Sequence, residues 1–454
     1  MPTVAIIGGG LTGLTAAHEL TKAGREVRLF EAAARTGGAV VSHAGDGWLV
    51  EGGPNTLLET PDVVSVVNDL GLAAERLEAS PAAKNRFLLR GGRLIAAPMA
   101  PPKILTTPLL SLGAKLRLFA EPFRRPRRRS GDVSLAEFIR DHFGQEVVDY
   151  VMNPFVAGIY AGDVAKLSTR HAFAKIWAIE QTHGSIIRGQ IAAMKQRRAR
   201  GEPAAPRSVS FVRGLQTLTD TLAARLPAGT VRTGAAVESL LPGRPWRVIW
   251  RQEGATHTTE AEAVVLALPA AAMARLAFGT LGERPLAALE AVEYPPVTSL
   301  FLGFRRAQVT HPLDGFGVLV PAIENRSVLG VLFSSTLFPH RAPAGHVALT
   351  VFVGGARQPD VARLAPEKLL AHIAPDLSEL LGVSGSSVFV RHTAWPRAIP
   401  QYNLGYERFL DAMAQAEASH PGLFIGGHVR DGIALSDCLA AGKRLAAAVG
   451  KYII

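Results

Sequence analysis

One cysteine, Cys438, is present in 454 residues. An intramolecular disulfide is therefore excluded, and a metal site built on cysteines is not expected. Cys438 falls in a C-terminal helical pattern and reads as a small buried hydrophobe. Charge is also sparse. Charged residues make up 19% of the chain against 48% hydrophobic, which excludes a disordered chain and predicts a large core. No apolar run is long enough to cross a bilayer as a helix. The first apolar run lacks a basic flank and is broken by glycines, so a signal peptide is not expected and an intracellular protein is. Acids are outnumbered by bases, 38 to 49, a formal charge of +11. That excess favours nucleic acid, anionic lipid or an acidic substrate. No zinc spacing or RNA-binding signature accompanies it, so nucleic acid is not expected. Internal repeats, low-complexity tracts and a catalytic triad are missing as well. His171, His183, His311 and His428 are scattered and read as structural.

What is present begins at Val4. The apolar run Val4-Ala5-Ile6-Ile7 leads into Gly8-Gly9-Gly10-Leu11-Thr12-Gly13, a helical stretch to Ala23, a second apolar run Val27 to Phe30, and Glu31. This is strand, glycine turn, helix, strand and acid, the context that makes a GxGxxG motif meaningful. Gly8 permits the tight turn, Gly10 the approach of a pyrophosphate, and Gly13 close packing of helix on strand. The pyrophosphate would rest on the helix N-terminus. Glu31 would accept from a ribose hydroxyl and disfavour a 2′-phosphate.

A second glycine pair follows in Arg35-Thr36-Gly37-Gly38, then the box Glu51-Gly52-Gly53-Pro54-Asn55. NAD needs neither, whereas an extended FAD requires the chain to pass close along it. Near the C-terminus Leu423 to Gly427, Asp431-Gly432-Ile433-Ala434 and a helical stretch to Val449 again read as strand, turn and helix. Backbone N–H groups there would face the negative end of a flavin. No His or Cys lies in a recognised flavin-linking motif, so non-covalent FAD is expected.

Further motifs run along the chain: Asn85-Arg86-Phe87-Leu88, Asn153-Pro154-Phe155 through Asp163, Lys166-Leu167-Ser168, Phe211-Val212-Arg213-Gly214, Tyr294-Pro295-Pro296-Val297, Gly315-Phe316-Gly317, Leu329-Gly330, Ser334-Ser335 and Leu337-Phe338-Pro339. On these motifs the chain resembles the protoporphyrinogen oxidase family, within the superfamily of FAD-dependent amine oxidases and phytoene desaturases. The resemblance implies an α/β fold, α+β overall. Its parts would be a Rossmann-like FAD-binding domain of the p-hydroxybenzoate hydroxylase type, a sheet-based substrate domain and a helical membrane-facing domain. They would comprise residues 1–60, 205–290 and 395–454 for FAD, 61–97 and 291–394 for substrate, and 98–204 for the helices. Besides the glycines and Glu31, it implies cofactor contacts from Leu11, Thr12, Ala32, Arg35, Gly53, Pro54, Asn55, Val237, Ala267, Trp395, Gly426, Gly427, Ile433 and Ala434. Two positions depart from the superfamily pattern: Ala39 follows the second glycine pair where Arg is frequent, and His428 follows Gly427 where Asp is frequent.

The expected reaction is oxidation of protoporphyrinogen IX by molecular oxygen, with the flavin supplying the redox chemistry and no catalytic side chain required. Arg86 is the expected anchor for a ring propionate, and Phe155, Phe316 and Phe338 are candidate pocket walls. A single Arg suits a substrate with carboxylates on one edge. Coproporphyrinogen III, with carboxylates on all four rings, is the near alternative. An amine oxidase or carotenoid desaturase, or a non-catalytic FAD-binding scaffold, is remote. The basic, Leu- and Phe-containing segment Lys115 to Arg129 is expected to meet an anionic membrane at the inner, cytoplasmic face. A homodimer is compatible with all of this.

Local readings complete the expectations. A helix is predicted over 61–72, a hairpin over 85–94, helices over 98–200, a connection over 196–207 and a helix over 211–226. Strands are predicted over 230–241, 246–252 and 258–268, and a helix over 366–381.

Overall fold

The computed structural model describes residues 3–98, 100–126, 128–201 and 207–453. Its centre is a parallel sheet of five strands in the order Val231–Thr233, Glu26–Glu31, Thr3–Ile7, Ala263–Leu266, Leu423–Ile425. The sequence places these strands more than 400 positions apart, so the C-terminus returns to complete the sheet that the N-terminus began. Both faces are buried, which explains the unbroken apolar runs. One face packs on the helices Leu11–Lys22 and Leu435–Tyr452. These helices touch closely because position 442 is glycine: a Cβ there would lie 2.6 Å from the Thr12 carbonyl oxygen and from Thr15 Cβ. The other face packs on an antiparallel layer containing Ala236–Leu241, Trp246–Gln252 and Ala255–Ala261. Cys438 is packed beside the first core, and burial pushes its thiol up to about 12. It is a packing residue, as expected.

A seven-stranded sheet carries the second region, in the order Phe389–Trp395, Val297–Arg305, His346–Gly354, Val328–Leu332, Gly315–Leu319, Asn85–Arg90, Arg93–Ala96. The helix Pro366–Leu381 covers one face with Leu369, Ile373 and Leu377. The helix Asn153–Tyr160 lies near the other strands through Gly158, where a Cβ would stand 2.6 Å from the Leu319 side chain.

The region from 101 to 199 is helical, with Leu112–Ala120, Leu135–Phe143, Asn153–Tyr160, Ala174–His183 and Ile186–Ala199 as its main pieces. Ser111, Ser134 and Ser185 each accept a backbone N–H from the first turn of the helix they precede, the expected use of serine at an N-cap. The helices are tied by buried charge. The His142 ring nitrogens lie 2.8 and 2.9 Å from Glu121 and Glu180, and Arg129 donates to Glu180 at 3.1 Å and to Asp141 at 2.8 Å. Burial would raise the Glu121 pKa, but hydrogen bonds from His142, Ser185 and the Ile186 and Ile187 amides bring it down to about 2.

Four local expectations are corrected. Phe211 is not the start of a helix. It ends the strand Ser208–Phe211, paired with Arg76–Glu78, and the helix runs only over Gln216–Ala224, because Gly214 turns the chain at φ +91°. Gln196 to Ala199 continue the helix Ile186–Ala199 and are not a connection; residues 202–206 of that expected connection lie outside the described residues. The helix Pro61–Asp69 buries Val63, Val66 and Val67 in the core beside the parallel sheet, away from the seven-stranded sheet with which the expected substrate domain groups it. Arg129, counted among surface cations in the sequence, is drawn inward by three carboxylates. Arg127 of the same run lies outside the described residues.

Candidate cofactor and substrate site

The glycine turn after the first strand is shaped by what each missing Cβ would meet. Gly8 takes φ +108°, and a Cβ would lie 2.4 Å from the Ala267 carbonyl oxygen; at Gly13 it would lie 1.9 Å from the Gly8 carbonyl oxygen. Gly10 is different. Nothing stands within 4 Å of its absent Cβ, so the backbone there is open to an approaching group at the N-terminus of the helix Leu11–Lys22. The second glycine pair comes to the same place: Gly37 N–H donates to Gly9 O at 2.8 Å, and a Cβ at Gly38 would lie 3.3 Å from Gly10 Cα.

Glu31 supports the turn as well as facing the cradle. Its two oxygens accept from Gly9 N–H at 2.7 Å and Ala33 N–H at 2.8 Å. Each carboxylate oxygen retains a second lone pair for a ribose hydroxyl. Arg35 is spent within its own loop, donating to the carbonyls of Thr36, Gly38 and Val40. Ala32 is exposed at the strand end, and Val237 stands on the strand that begins just after Ala235 N–H donates to Glu31 O. Leu11 points into the core, which leaves its backbone as the part available to a ligand.

The Glu51–Asn55 box closes over the same region. A Cβ at Gly53 would be 2.0 Å from Ala39 O, Trp395 Nε1 donates to Gly52 O at 2.8 Å, and Asn55 Nδ2 donates to Gly53 O at 3.1 Å, which bends the chain around Pro54. Ala39 itself is exposed, and it is its backbone carbonyl that packs against Gly53. At the C-terminal turn, Gly427 takes φ +104°, faces Thr12, and donates its N–H to Asp431 at 2.7 Å. Gly426 packs on Asp431 and Leu445, Ile433 bridges two cores, and Ala434 N–H donates to Asp437 at 3.3 Å as the last helix starts. Thr12 Oγ1 donates to Cys438 O, locking first helix to last. His428 has its Nε2 at 3.2 Å from the Tyr294 hydroxyl, and burial brings its pKa down to about 4. It is a neutral imidazole at physiological pH, not a replacement for a carboxylate.

On the substrate sheet, Asn85 donates to Asp314 and pins the strand that carries Arg86. The Arg86 guanidinium lies 5.0 Å above the Phe316 ring, and among the described residues no carboxylate pairs with it. Phe155 is half-exposed and lies 6.4 Å from Phe173.

The family profile described as flavin containing amine oxidoreductase matches residues 11–450. Protoporphyrinogen oxidase 2 of Arabidopsis thaliana, chloroplastic/mitochondrial, is 33% identical over 478 residues, covering 99% of this chain and 94% of the relative. Coproporphyrinogen III oxidase of Bacillus subtilis is 30% identical, covering 97% and 96%. A crystal structure from Exiguobacterium sp. 255-15, assigned as a protoporphyrinogen oxidase, superposes with a TM-score of 0.82 at 24% identity over 99% of this chain and 98% of that one. The chain belongs to the protoporphyrinogen oxidase family. It is an FAD-dependent oxidoreductase of the flavin amine oxidoreductase superfamily, and the cradle fits that cofactor. The open backbone at Gly10, the helix N-terminus behind it, Glu31, the Gly37–Gly38 loop and the Gly426–Gly427 turn are the groups that would hold it along its length.

Among the four candidate substrate residues one is corrected. Phe338 is fully buried with Ala83 and Leu337, beneath the Arg341 guanidinium at 4.5 Å. It is a core residue because the Pro339–Arg341 turn drives it inward. The sequence did not point to Arg341 or to its buried pairing with Glu51 of the glycine box. The signal was available in part: a carboxylate ending the wholly buried strand Trp48–Glu51 requires a partner. Asp132, His171 and Glu407 bring possible ligand atoms within 4.8 Å of one another. The Arg170 guanidinium stands 3.5 Å from Glu407 and supplies positive charge there, so the group reads as an ion-pair cluster.

Proposed function

We propose that the protein oxidises protoporphyrinogen IX to protoporphyrin IX, with three molecules of oxygen taking six electrons and six protons as three of hydrogen peroxide. The observation that carries the reading is Arg86 lying over Phe316 on the substrate sheet, with no protein carboxylate to neutralise it. An apolar macrocycle edged by carboxylates meets that arrangement with a propionate on the guanidinium and its apolar body against the neighbouring side chains. Bound FAD supplies hydride acceptance and return of electrons to oxygen. The chain's own residues position the substrate and exclude water.

Coproporphyrinogen III is kept as a second reading because of Arg357. This guanidinium is largely desolvated, which lowers its pKa to about 10, and among the described residues it donates only to neutral groups, Val320 O at 2.9 Å and Asn153 Oδ1 at 3.1 Å. A second uncompensated cation near the substrate sheet favours a second acidic edge. The deciding experiment is kcat/KM for the two porphyrinogens side by side under oxygen. Preference for coproporphyrinogen overturns the first reading, and turnover of neither overturns both.

We further propose peripheral attachment to the inner face of a membrane. The support is a stripe of exposed apolar side chains, Leu112, Leu116, Phe119 and Phe123, at helical spacing, flanked by Lys115, Arg125 and Arg128. Among the described residues no helix is long and apolar enough to cross a membrane. The apolar stripe, more than the arginines, is what the helical region presents outward.

A further inference from the structure

The Glu51–Asn55 box is held from behind by one buried cation. Arg341 and Glu51 are 1% and 0% exposed and 3.3 Å apart. A single guanidinium nitrogen, Nη2, faces three acceptors with two hydrogens: Asn55 O at 2.8 Å takes the short bond, and Glu51 Oε1 and Ser210 Oγ, both at 3.3 Å, share the other. It therefore grips both ends of the five-residue box at once. Glu51 is gripped in turn by Leu215 N–H at 2.9 Å and by the Ser42 hydroxyl. Burial raises the Glu51 pKa and lowers that of Arg341 to about 10. Arg341 Nε and Nη1 find no acceptor among the described residues. A pair this desolvated and this incompletely bonded is poor evidence for a gain in stability, because removal of both charges from water offsets their attraction.

What the pair does is geometric. Arg341 belongs to the connection between Val328–Leu332 and His346–Gly354 of the substrate sheet. Asn55 and Glu51 belong to the box whose middle, Gly52 to Pro54, faces the cofactor cradle through Ala39 and Trp395. We propose that Arg341 is a positioning residue: it sets the curvature of Glu51–Asn55 and so the register of bound FAD against the substrate sheet. The proposal rests on the cofactor assignment above.

The test uses the full-length protein stripped of flavin and reconstituted. Arg341→Lys, Arg341→Met, Glu51→Gln and the double variant Arg341→Met/Glu51→Gln are compared for melting temperature without FAD, FAD affinity by flavin fluorescence, and the visible spectrum of the bound flavin. The double variant carries neither buried charge. It is expected to recover most of the stability lost in Arg341→Met, yet to bind FAD about tenfold more weakly than wild type, the worth of a charge-assisted hydrogen bond, with a shifted flavin spectrum. Arg341→Lys keeps the charge but lacks the planar fork and is expected to show the same weakening. Wild-type FAD affinity and spectrum in either the double variant or Arg341→Lys overturns the proposal and leaves the pair a packing device. If the double variant does not fold, Arg341→Lys decides alone. Failure of wild-type protein to take up FAD would instead refute the cofactor assignment.

Discussion

The cofactor cradle and the substrate face solve opposite problems. In the cradle the protein completes its own hydrogen bonding before any ligand arrives. Glu31 accepts from Gly9 and Ala33, Arg35 is spent on three carbonyls, and Asp431 takes Gly427 N–H. Shape is set largely by backbone collisions around glycine, and the space above Gly10 is open. On the substrate face the polar group is a cation left without a protein anion. Arg86 rests on a ring, and among the described residues no carboxylate pairs with it. The cradle is thus shaped by its own backbone, whereas the proposed substrate face offers a cation for an incoming carboxylate.

That contrast is sharpest at Gly13 and Gly10. Gly13→Ala puts a Cβ into the Gly8 carbonyl and is expected to destabilise the fold by about 3 kcal/mol or more. The check is denaturant unfolding of the flavin-free protein. Gly10→Ala meets open space and ordinary backbone angles, φ −73°. It should leave flavin-free stability nearly unchanged while weakening FAD by ~1–3 kcal/mol through crowding of the ligand. Equal loss of stability in both would erase the distinction between a packed and an open glycine.

His428 probes the cradle through pH. Its folded pKa of about 4 lies below the ordinary 6.5, so the unfolded chain binds the proton first. Its contribution to stability is complete above pH 6.5 and is lost as pH falls from 6.5 toward 4, by up to about 3 kcal/mol. The melting-temperature difference between pH 7 and pH 5 should shrink in His428→Gln. An unchanged difference would mean that other groups carry the acid sensitivity.

Glu31→Gln should weaken FAD by ~1.5–3 kcal/mol, since a charged acceptor is lost both to the ribose and to the turn. Titration of flavin fluorescence measures it, and wild-type affinity would remove Glu31 from the cofactor's contacts. Arg86→Ala should raise KM for the porphyrinogen ten- to a hundredfold, from ~1.5–3 kcal/mol of charge-assisted bonding, with a smaller change in kcat. FAD affinity should not move. A fall in FAD binding would show that the two regions are not separable in the way drawn above.

The smallest effect concerns the helical region. Replacing Leu116 and Phe123 by Ser should reduce sedimentation with anionic vesicles more than neutralising Arg125 and Arg128, each of which contributes about 1 kcal/mol near an anionic surface. The reverse order would return the attachment to electrostatics alone.

By itself the sequence determined the cofactor loops, because glycine clusters between an apolar strand and a helical stretch signal a tight turn locally, whatever distant residue later packs on it. Gly8, Gly13, Gly37 and Gly427 were legible for that reason, and so was the strand–turn–helix order at each end of the chain. Arg86 was legible through its motif. The tertiary structure alone decided which charges are buried. Arg129 and Phe338 looked like surface and pocket residues, but the carboxylates that draw in Arg129 and the packing that encloses Phe338 come from other elements. Arg341 was invisible for the same reason. Its partners at 51, 55 and 210 stand 131 to 290 positions away along the chain. Periodicity reports the face a residue turns to its own element; it carries no information about the charge that another element brings to meet it.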